Sequence, residues 1–93
     1  MEARLHITIL GDVQGVFFRA GVVGEAERIG GITGWVRNTE NGAVEVLAEG
    51  ERDALEKLLE WCSHGPAGAS VSEVRHEWLA YAGEFQDFRI RYS

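Results

Sequence analysis

The sequence predicts an α+β fold in which an antiparallel sheet of four to five strands carries two helices on one face. Short stretches with apolar residues at every second position are typical of strands, and two longer stretches have apolar residues at helical spacing. Their order along the chain is β-α-β-β-α-β, with an additional strand near the C-terminus. This order suits the split-βαβ, ferredoxin-like sandwich.

The first strand and the first helix flank a loop that contains glycine. Leu5, Ile7 and Ile9 alternate with the residues between them, as expected of a half-buried strand. After the loop, apolar residues at helical spacing predict a helix over positions 18 to 29. Gly21 and Gly24 lie inside this helix, where each costs about 1 kcal/mol relative to alanine.

A hairpin and a second helix follow in the middle of the chain. The stretch ITGWVRN, residues 32–38, predicts a strand, and Asn41-Gly42 predicts the turn into the next strand, because both residues tolerate positive φ. In that next strand, Val44, Val46 and Ala48 should share one face, with Glu45 and Glu49 on the other. The stretch ERDALEKLLEWC, residues 51–62, predicts an amphipathic helix with Trp61 and Cys62 on its apolar side.

Two further strands are predicted toward the C-terminus. The stretch SVSEVRHEWLA, residues 70–80, predicts a strand with less regular alternation than the first. The stretch FRIRY, residues 88–92, predicts a strand with Phe88, Ile90 and Tyr92 inward and its two arginines outward.

Length, charge and cysteine content limit the classes of function. The 93 residues are expected to form one domain over residues 1–93, and the composition is that of an ordinary globular protein. The net charge of −6 disfavours nucleic acid, whose phosphates need a basic surface. No apolar run reaches membrane-spanning length, and the first residues do not resemble a secretory signal. Cys62 is the single cysteine, so we expect a cytoplasmic protein with no membrane partner.

The loop GDVQGVFFR, residues 11–19, is a candidate anion site. Its glycines permit a tight curl, and a curled backbone directs several N–H groups at one point. Arg19 ends the loop with a planar fork of donors that suits a phosphate or a carboxylate. The alternative is an ordinary strand-to-helix turn with a surface arginine, and the local composition does not decide between them.

The phase of the second strand predicts the direction in which the Asn38 side chain points. Val36 is apolar and should face the helices, so Asn38, two residues later, should face the same way. An amide side chain would then lie beside the loop and Arg19. The alternative is that Asn38 only closes the strand next to the hairpin.

Three motifs in order closely resemble the acylphosphatase family: GDVQGVFFR, GWVRNTENGAVEV and the terminal FRIRY. The resemblance covers nearly the whole chain. It implies the same βαββαβ fold and hydrolysis of the carboxyl–phosphate bond of acyl phosphates, without metal or cofactor. It also implies a small-molecule substrate, inorganic phosphate as product and inhibitor, and a monomer.

The resemblance also assigns site residues. Arg19 resembles the phosphate-binding arginine of the family, and Asn38 resembles the residue that orients the attacking water. The phosphate loop would consist of the backbone N–H groups of Gln14, Gly15, Val16, Phe17 and Phe18.

Two departures from the family pattern bear on this site. The connection within residues 29–35 is one residue longer than usual, which is expected to shift Asn38 relative to Arg19. Gly21 stands where a bulkier residue is expected, which would loosen the first helix.

The remaining candidate groups are weaker. Asp12 lies near the loop, but a solvated turn residue explains it as well. The three histidines, His6, His64 and His76, lack the spacing of a metal site. A non-catalytic module that binds small anions or acyl phosphates is the alternative to an enzyme, because it would keep Arg19 without needing Asn38 in register.

Overall fold

The computed structural model describes residues 1–15 and 17–92, which form one five-stranded sheet and two helices. The strands are β1 (Glu2–Asp12), β2 (Thr33–Asn38), β3 (Val44–Glu51), β4 (Ser70–Leu79) and β5 (Phe88–Arg91), and the helices are α1 (Phe18–Ile29) and α2 (Arg52–Cys62). The strand order across the sheet is β4-β1-β3-β2-β5.

The predicted ferredoxin-like α+β fold is confirmed, with one refinement of the sheet. Neighbouring strands are antiparallel except β5, which runs parallel to β2. The sheet is therefore mixed, because the chain leaves β4 at one edge and returns as β5 at the opposite edge. Within the described residues, neither helix combines the length and the apolar character that crossing a membrane requires.

The core lies between the two helices and one face of the central strands. The alternation predicted for the first strand is confirmed, because three residues of β1 are fully buried opposite three residues of β3. The pairs are Leu5 with Ala48, Ile7 with Val46 and Ile9 with Val44. Complete burial of a Val, Leu or Ile side chain stabilises the fold by about 1.5–3 kcal/mol, so these pairs make β1 and β3 the buried centre of the sheet.

The hairpin between β2 and β3 forms where Asn41-Gly42 predicted it. The Thr39 N–H donates to the Ala43 carbonyl at 2.9 Å, and the Gly42 N–H donates to the Thr39 carbonyl at 3.3 Å. Of the predicted pair, only Gly42 has a positive φ, at 91°. The turn therefore contains one residue with left-handed backbone angles, as is common in hairpin loops of more than two residues.

The face of the sheet away from the helices is partly covered by the segment of residues 80–87. Glu49, predicted to face outward, is only 1% exposed, because this segment lies against it. Its carboxylate accepts hydrogen bonds from the N–H groups of Ala82 at 2.7 Å and Gly83 at 3.3 Å, and Arg4 lies 3.5 Å away. These partners offset the cost of burying a charge and fix the path that leads the chain to β5.

Two aromatic side chains near the β5 edge of the sheet differ in their surroundings. Trp35, on the face away from the helices, packs against Arg37 and Arg91, whose guanidinium carbons lie 5.8 and 4.6 Å from its ring centre. The expectation that Tyr92 points inward is wrong, because the residue is 81% exposed. Tyr92 follows the last residue of β5, where the sheet no longer determines its direction.

The glycine at position 21 accommodates the second helix. A Cβ atom there would lie 2.6 Å from Cη2 of Trp61, whose ring contacts Phe18 edge-on with 5.6 Å between ring centres. The space expected for a bulkier side chain is thus filled by a residue from α2. Helix α1 runs without interruption from Phe18 to Ile29, and its close approach to α2 depends on this glycine.

The two glycines of α1 form a matched test of this packing. Gly24 has no heavy atom within 4 Å of a built Cβ, so Gly24→Ala should gain the helix propensity of alanine, about 1 kcal/mol. That gain corresponds to a rise in Tm of about 4–8 °C for a domain of this size. Gly21→Ala should lower Tm, because the added methyl group displaces Trp61 from Phe18. Thermal unfolding followed by circular dichroism measures both, and an equal rise in the two variants would contradict the packing role of Gly21.

The thiol of Cys62 should be chemically inert in the folded protein. The residue is fully buried on α2, as its apolar position predicted, and burial raises the pKa of the thiol to about 12. Since the thiolate is the reactive form, a chromogenic disulfide reagent at pH 8 should label the native protein only on the timescale of unfolding. The same reagent should label the denatured protein at once. Rapid labelling under native conditions would show that the α2 packing described here is wrong.

Candidate active site

A cavity of about 200 Å³ opens where the loop after β1 meets the start of α1 and the end of β2. The residues that line it include Gly15, Phe17 and Phe18 from the loop and the helix start, together with Arg19, Asn38 and Ile90. Strand order alone does not bring these residues together, because β3 lies between β1 and β2.

Arg19 and Asn38, the two residues singled out in the sequence, line this same cavity. Arg19 is the second residue of α1, and Asn38 is the last residue of β2. The longer connection between α1 and β2 does not separate them. Gly30 and Gly31, with φ angles of 86° and 73°, take up the turn before β2 begins.

The loop backbone is curled, as its glycine content predicted. Gly15 has a φ of 76° and Phe17 a φ of 61°, both in the left-handed region. The Gly21 N–H donates to the Phe17 carbonyl at 2.9 Å and begins the hydrogen bonding of α1. The N–H groups of Phe18 and Arg19 come before this bond and have no acceptor within the helix. They form the kind of helix N-terminus that binds anions.

Two members of the predicted phosphate loop stand apart from the others. Val16 lies outside the residues that the structure describes. Gln14 does not line the cavity, and its side chain is engaged elsewhere: Nε2 donates to the Thr39 carbonyl at 2.9 Å and to the Ala43 carbonyl at 2.8 Å. These carbonyls belong to the hairpin that follows Asn38, so the Gln14 side chain joins the loop to the end of β2.

This contact is the feature of the site that sequence reasoning missed. A glutamine in a glycine-containing loop carries no local pattern that identifies a partner 25 residues away. The polar type of the residue in an otherwise apolar VQGVFF segment is the only signal that the sequence offers.

The guanidinium of Arg19 forms no ion pair with the carboxylates of the residues that the structure describes. None of the ion pairs found in residues 1–15 and 17–92 involves it. Its Cζ atom lies over the ring of Tyr92, 5.1 Å from the ring centre. A cation–π contact of this kind orients the side chain and leaves its donors available to an anion.

The weaker candidates lie away from the cavity. Asp12 is an exposed residue at the end of β1. His6 is 2.6 Å from the carboxylate of Glu45, which also accepts a hydrogen bond from Arg37 at 2.6 Å. Burial pushes the pKa of Glu45 upward, but the hydrogen bonds from His6 and Arg37 outweigh it and hold the pKa below its ordinary value. His6 therefore belongs to a hydrogen-bonded cluster with Glu45 and Arg37 on the face of the sheet away from the helices.

No metal cluster forms among the residues that the structure describes. Nowhere in them do three or more histidine, cysteine, aspartate or glutamate side chains come close enough to hold an ion. His64 and His76 are both exposed.

The chemistry that the cavity offers is recognition of an anion. It combines one cation, several backbone N–H groups and one neutral amide in a recess that is otherwise apolar. Such a set neutralises the charge of a phosphoryl group and positions a small molecule beside it.

Comparison with known proteins agrees with the fold and identifies a family. A family model described as Acylphosphatase matches residues 5–90. The Acylphosphatase of Anaeromyxobacter sp. (strain Fw109-5) is 50% identical over 90 residues, which is 97% of this chain and 96% of that protein. The Acylphosphatase of Pyrobaculum islandicum is 53% identical over 90 residues, 96% of this chain and 94% of that protein.

A solved structure shows the same fold. The structure of an acylphosphatase from Coxiella burnetii superposes with a TM-score of 0.89 at 46% identity, covering 97% of this chain and 93% of that chain. The family model and relatives at about half identity span nearly the full length of the chain, and the chain belongs to the acylphosphatase family of enzymes.

Proposed function

We propose that the chain hydrolyses the carboxyl–phosphate bond of acyl phosphates to a carboxylate and inorganic phosphate, with Arg19 and the loop binding the phosphoryl group and Asn38 orienting the attacking water. The observation that carries this assignment is that Arg19, Asn38 and the curled loop line one small cavity. Family membership supports the reaction, and the geometry supports the roles of the residues.

The phosphoryl group is held by charge and by backbone donors. Arg19 offers a bidentate fork, and the N–H groups of Gly15, Phe17 and Phe18 supplement it from the loop and the helix start. Val16 and Gln14 would contribute their backbone N–H groups in the same loop. Phosphoryl transfer through a loose transition state asks mainly for positioning and charge stabilisation, which is what these groups supply.

The water is held by a neutral amide. Asn38 ends β2 and lines the cavity together with Arg19, so a water bonded to its amide would lie beside a phosphoryl group bound at Arg19. The Gln14 side chain acts on this step indirectly, because it fixes the hairpin that follows Asn38 to the loop. A phosphate oxygen of the substrate accepts the proton of the water, since no carboxylate or imidazole lines the described part of the cavity.

The leaving group needs no acid. A carboxylate is weakly basic and departs without protonation, whereas an alkoxide does not. The enzyme should therefore hydrolyse acyl phosphates and leave alkyl phosphate monoesters largely untouched. A divalent cation is not required in this scheme, because Arg19 supplies the positive charge and the described residues that line the cavity offer no carboxylate, imidazole or thiolate ligand.

Benzoyl phosphate hydrolysis in the presence of a chelator tests these roles. Asn38→Ala should lower kcat by on the order of 10²-fold, as misplacing a reacting group does, with KM and competitive inhibition by phosphate nearly unchanged. Arg19→Lys should both raise KM and lower kcat, because a point charge cannot reproduce the bidentate fork. Arg89→Lys is the matched control, because Arg89 is exposed and paired with Asp87.

Two results would contradict the proposal. Near-normal kcat in a folded Asn38→Ala protein would favour a non-catalytic module that binds acyl phosphates or small anions. Activity that disappears with the chelator and returns with a divalent metal would overturn the cofactor-free scheme. Near-ultraviolet circular dichroism and a melting curve must first show that each variant is folded, since a domain of this size has little stability to lose.

Three further sequence expectations stay predictions. They are a single domain over residues 1–93, a monomeric state and a cytoplasmic location. The location rests on Cys62, which has no second cysteine with which to form an internal disulfide.

A further inference from the structure

The strand β5 is one edge of the sheet, and its outer side is open among the described residues. The Gly34 N–H donates to the Asp87 carbonyl at 2.8 Å, and Gly34 is the ladder partner of Phe88. In a parallel ladder every second residue directs its backbone groups to the same neighbour, so Asp87 and each second residue after it face β2. Phe88 and Ile90 therefore direct their N–H and C=O groups to the open edge. An unpaired edge of this kind is a template for a further strand.

Positive charge is concentrated beside this edge, on the face of the sheet away from the helices. Three of the nine basic residues of the chain, Arg37, Arg89 and Arg91, surround Trp35 there. The register places Arg91 beside Arg37 and Arg89 beside Trp35, and the guanidinium groups of Arg37 and Arg91 contact the Trp35 ring. We call the three arginines the arginine patch. It stands out in a chain whose net charge is −6.

The arginine patch is only partly neutralised. Arg37 donates to Glu45 at 2.6 Å and Arg89 donates to Asp87 at 2.8 Å. None of the ion pairs found in residues 1–15 and 17–92 involves Arg91. Like charges at paired positions of neighbouring strands are destabilising, so the juxtaposition of Arg37 and Arg91 costs stability. Protection of an edge against aggregation needs charge on the edge strand alone, so it does not explain Arg37.

The two faces of β5 determine which side chains a further strand would need. Arg89 and Arg91 lie on the face away from the helices, whereas Phe88 and Ile90 lie on the other face and pack partly buried against the core. Side chains of an added strand alternate between these two faces. One row would meet guanidinium groups, and the other would extend an apolar surface. The matching segment therefore alternates acidic and apolar residues.

We propose that the open edge of β5 binds an extended acidic segment of a partner protein, which adds a strand to the sheet and places its carboxylates on the arginine patch. In this mode of recognition the main-chain hydrogen bonds provide affinity, and the alternating side chains provide specificity. The charge of the patch is complementary to that of the segment, which selects acidic partners. The inference does not rest on the reaction proposed for the cavity.

A nucleic acid is a poorer match for the same surface. Its phosphates accept hydrogen bonds from N–H groups, but they cannot donate to the carbonyls that Phe88 and Ile90 direct to the open edge. The net charge of −6 also repels a long polyanion, whereas a short segment experiences mainly the nearby arginines. The backbone groups and the charge together favour a peptide.

A nuclear magnetic resonance titration of the isotope-labelled chain with a capped peptide, Glu-Val-Glu-Val-Glu-Val-Glu, tests the proposal. The amide signals of Phe88 and Ile90 should shift most and exchange more slowly with solvent, because their N–H groups gain acceptors. Higher salt should weaken binding, since exposed charge pairs are screened. A peptide of the same composition in two blocks, Glu-Glu-Glu-Glu-Val-Val-Val, should bind less tightly, because it lacks the alternation.

Charge reversal in the arginine patch gives the matched comparison. Arg89→Glu and Arg91→Glu should each raise the Kd of the alternating peptide by about five- to tenfold, as an exposed attraction becomes a repulsion. Arg75→Glu is the control, because it changes the net charge equally and lies on β4 at the opposite edge. Arg75 is exposed and paired with a carboxylate two residues earlier, as Arg89 is. Its Kd should equal that of the wild type, and melting curves confirm that each variant is folded.

Several outcomes would overturn the proposal. They are the absence of shifts at millimolar peptide, shifts centred on β4, and an unchanged Kd in both arginine-patch variants. Equal affinity for the block peptide would show attraction by charge without an added strand. Tighter binding of an oligothymidylate than of the peptide would assign the patch to nucleic acid. Self-association in sedimentation that Arg91→Glu abolishes would make a second copy of this chain the occupant. The shifts and the salt dependence of the wild type test the proposal even if a variant fails to fold.

Discussion

The hydrogen bonds of one side chain hold the two halves of this site together. Gln14 donates from Nε2 to the carbonyls of Thr39 and Ala43, at 2.9 and 2.8 Å. The loop that contains Gln14 follows β1, whereas Asn38 ends β2, and β3 lies between these strands in the sheet. The main-chain ladder therefore does not connect the loop to Asn38 directly. The Gln14 amide spans this gap, because Thr39 and Ala43 close the hairpin that leads from β2 into β3.

The remaining supports fix the start of α1, which carries the cation of the site. Phe18 is buried and its ring meets the edge of Trp61 from α2, so the helix begins at a defined position. Gly21 permits this approach of the two helices. Tyr92, beyond β5, lies under the guanidinium of Arg19 and limits the directions in which that side chain can extend. The site is thus built on the end of β2 and the start of α1, and Phe18 anchors that start in the core.

Local pattern predicted much of this structure, and long-range contact determined the rest. The alternation of Leu5, Ile7 and Ile9 and the helix over positions 18 to 29 could be predicted because burial imposes a period on the sequence. The parallel pairing of β5 with β2 and the burial of Glu49 could not, because both depend on the path of the segment of residues 80–87 across the sheet. Arg19 and Asn38 line one cavity, which agrees with the prediction that Asn38 faces the helices on the same side of β2 as Val36. The Gln14 contacts have no periodic signature, so only the folded structure reveals them.

A double-mutant cycle between Gln14 and Asn38 tests most directly whether Gln14 holds Asn38 in register with the loop. Gln14→Met keeps the length of the side chain and removes both donors. In the wild-type background it should lower kcat for benzoyl phosphate on the order of 10- to 100-fold, as a small misplacement of a reacting group does, with phosphate inhibition nearly unchanged. In the Asn38→Ala background the same substitution should have almost no effect, because the group that it positions is already absent. An equal loss of kcat in both backgrounds would contradict the account.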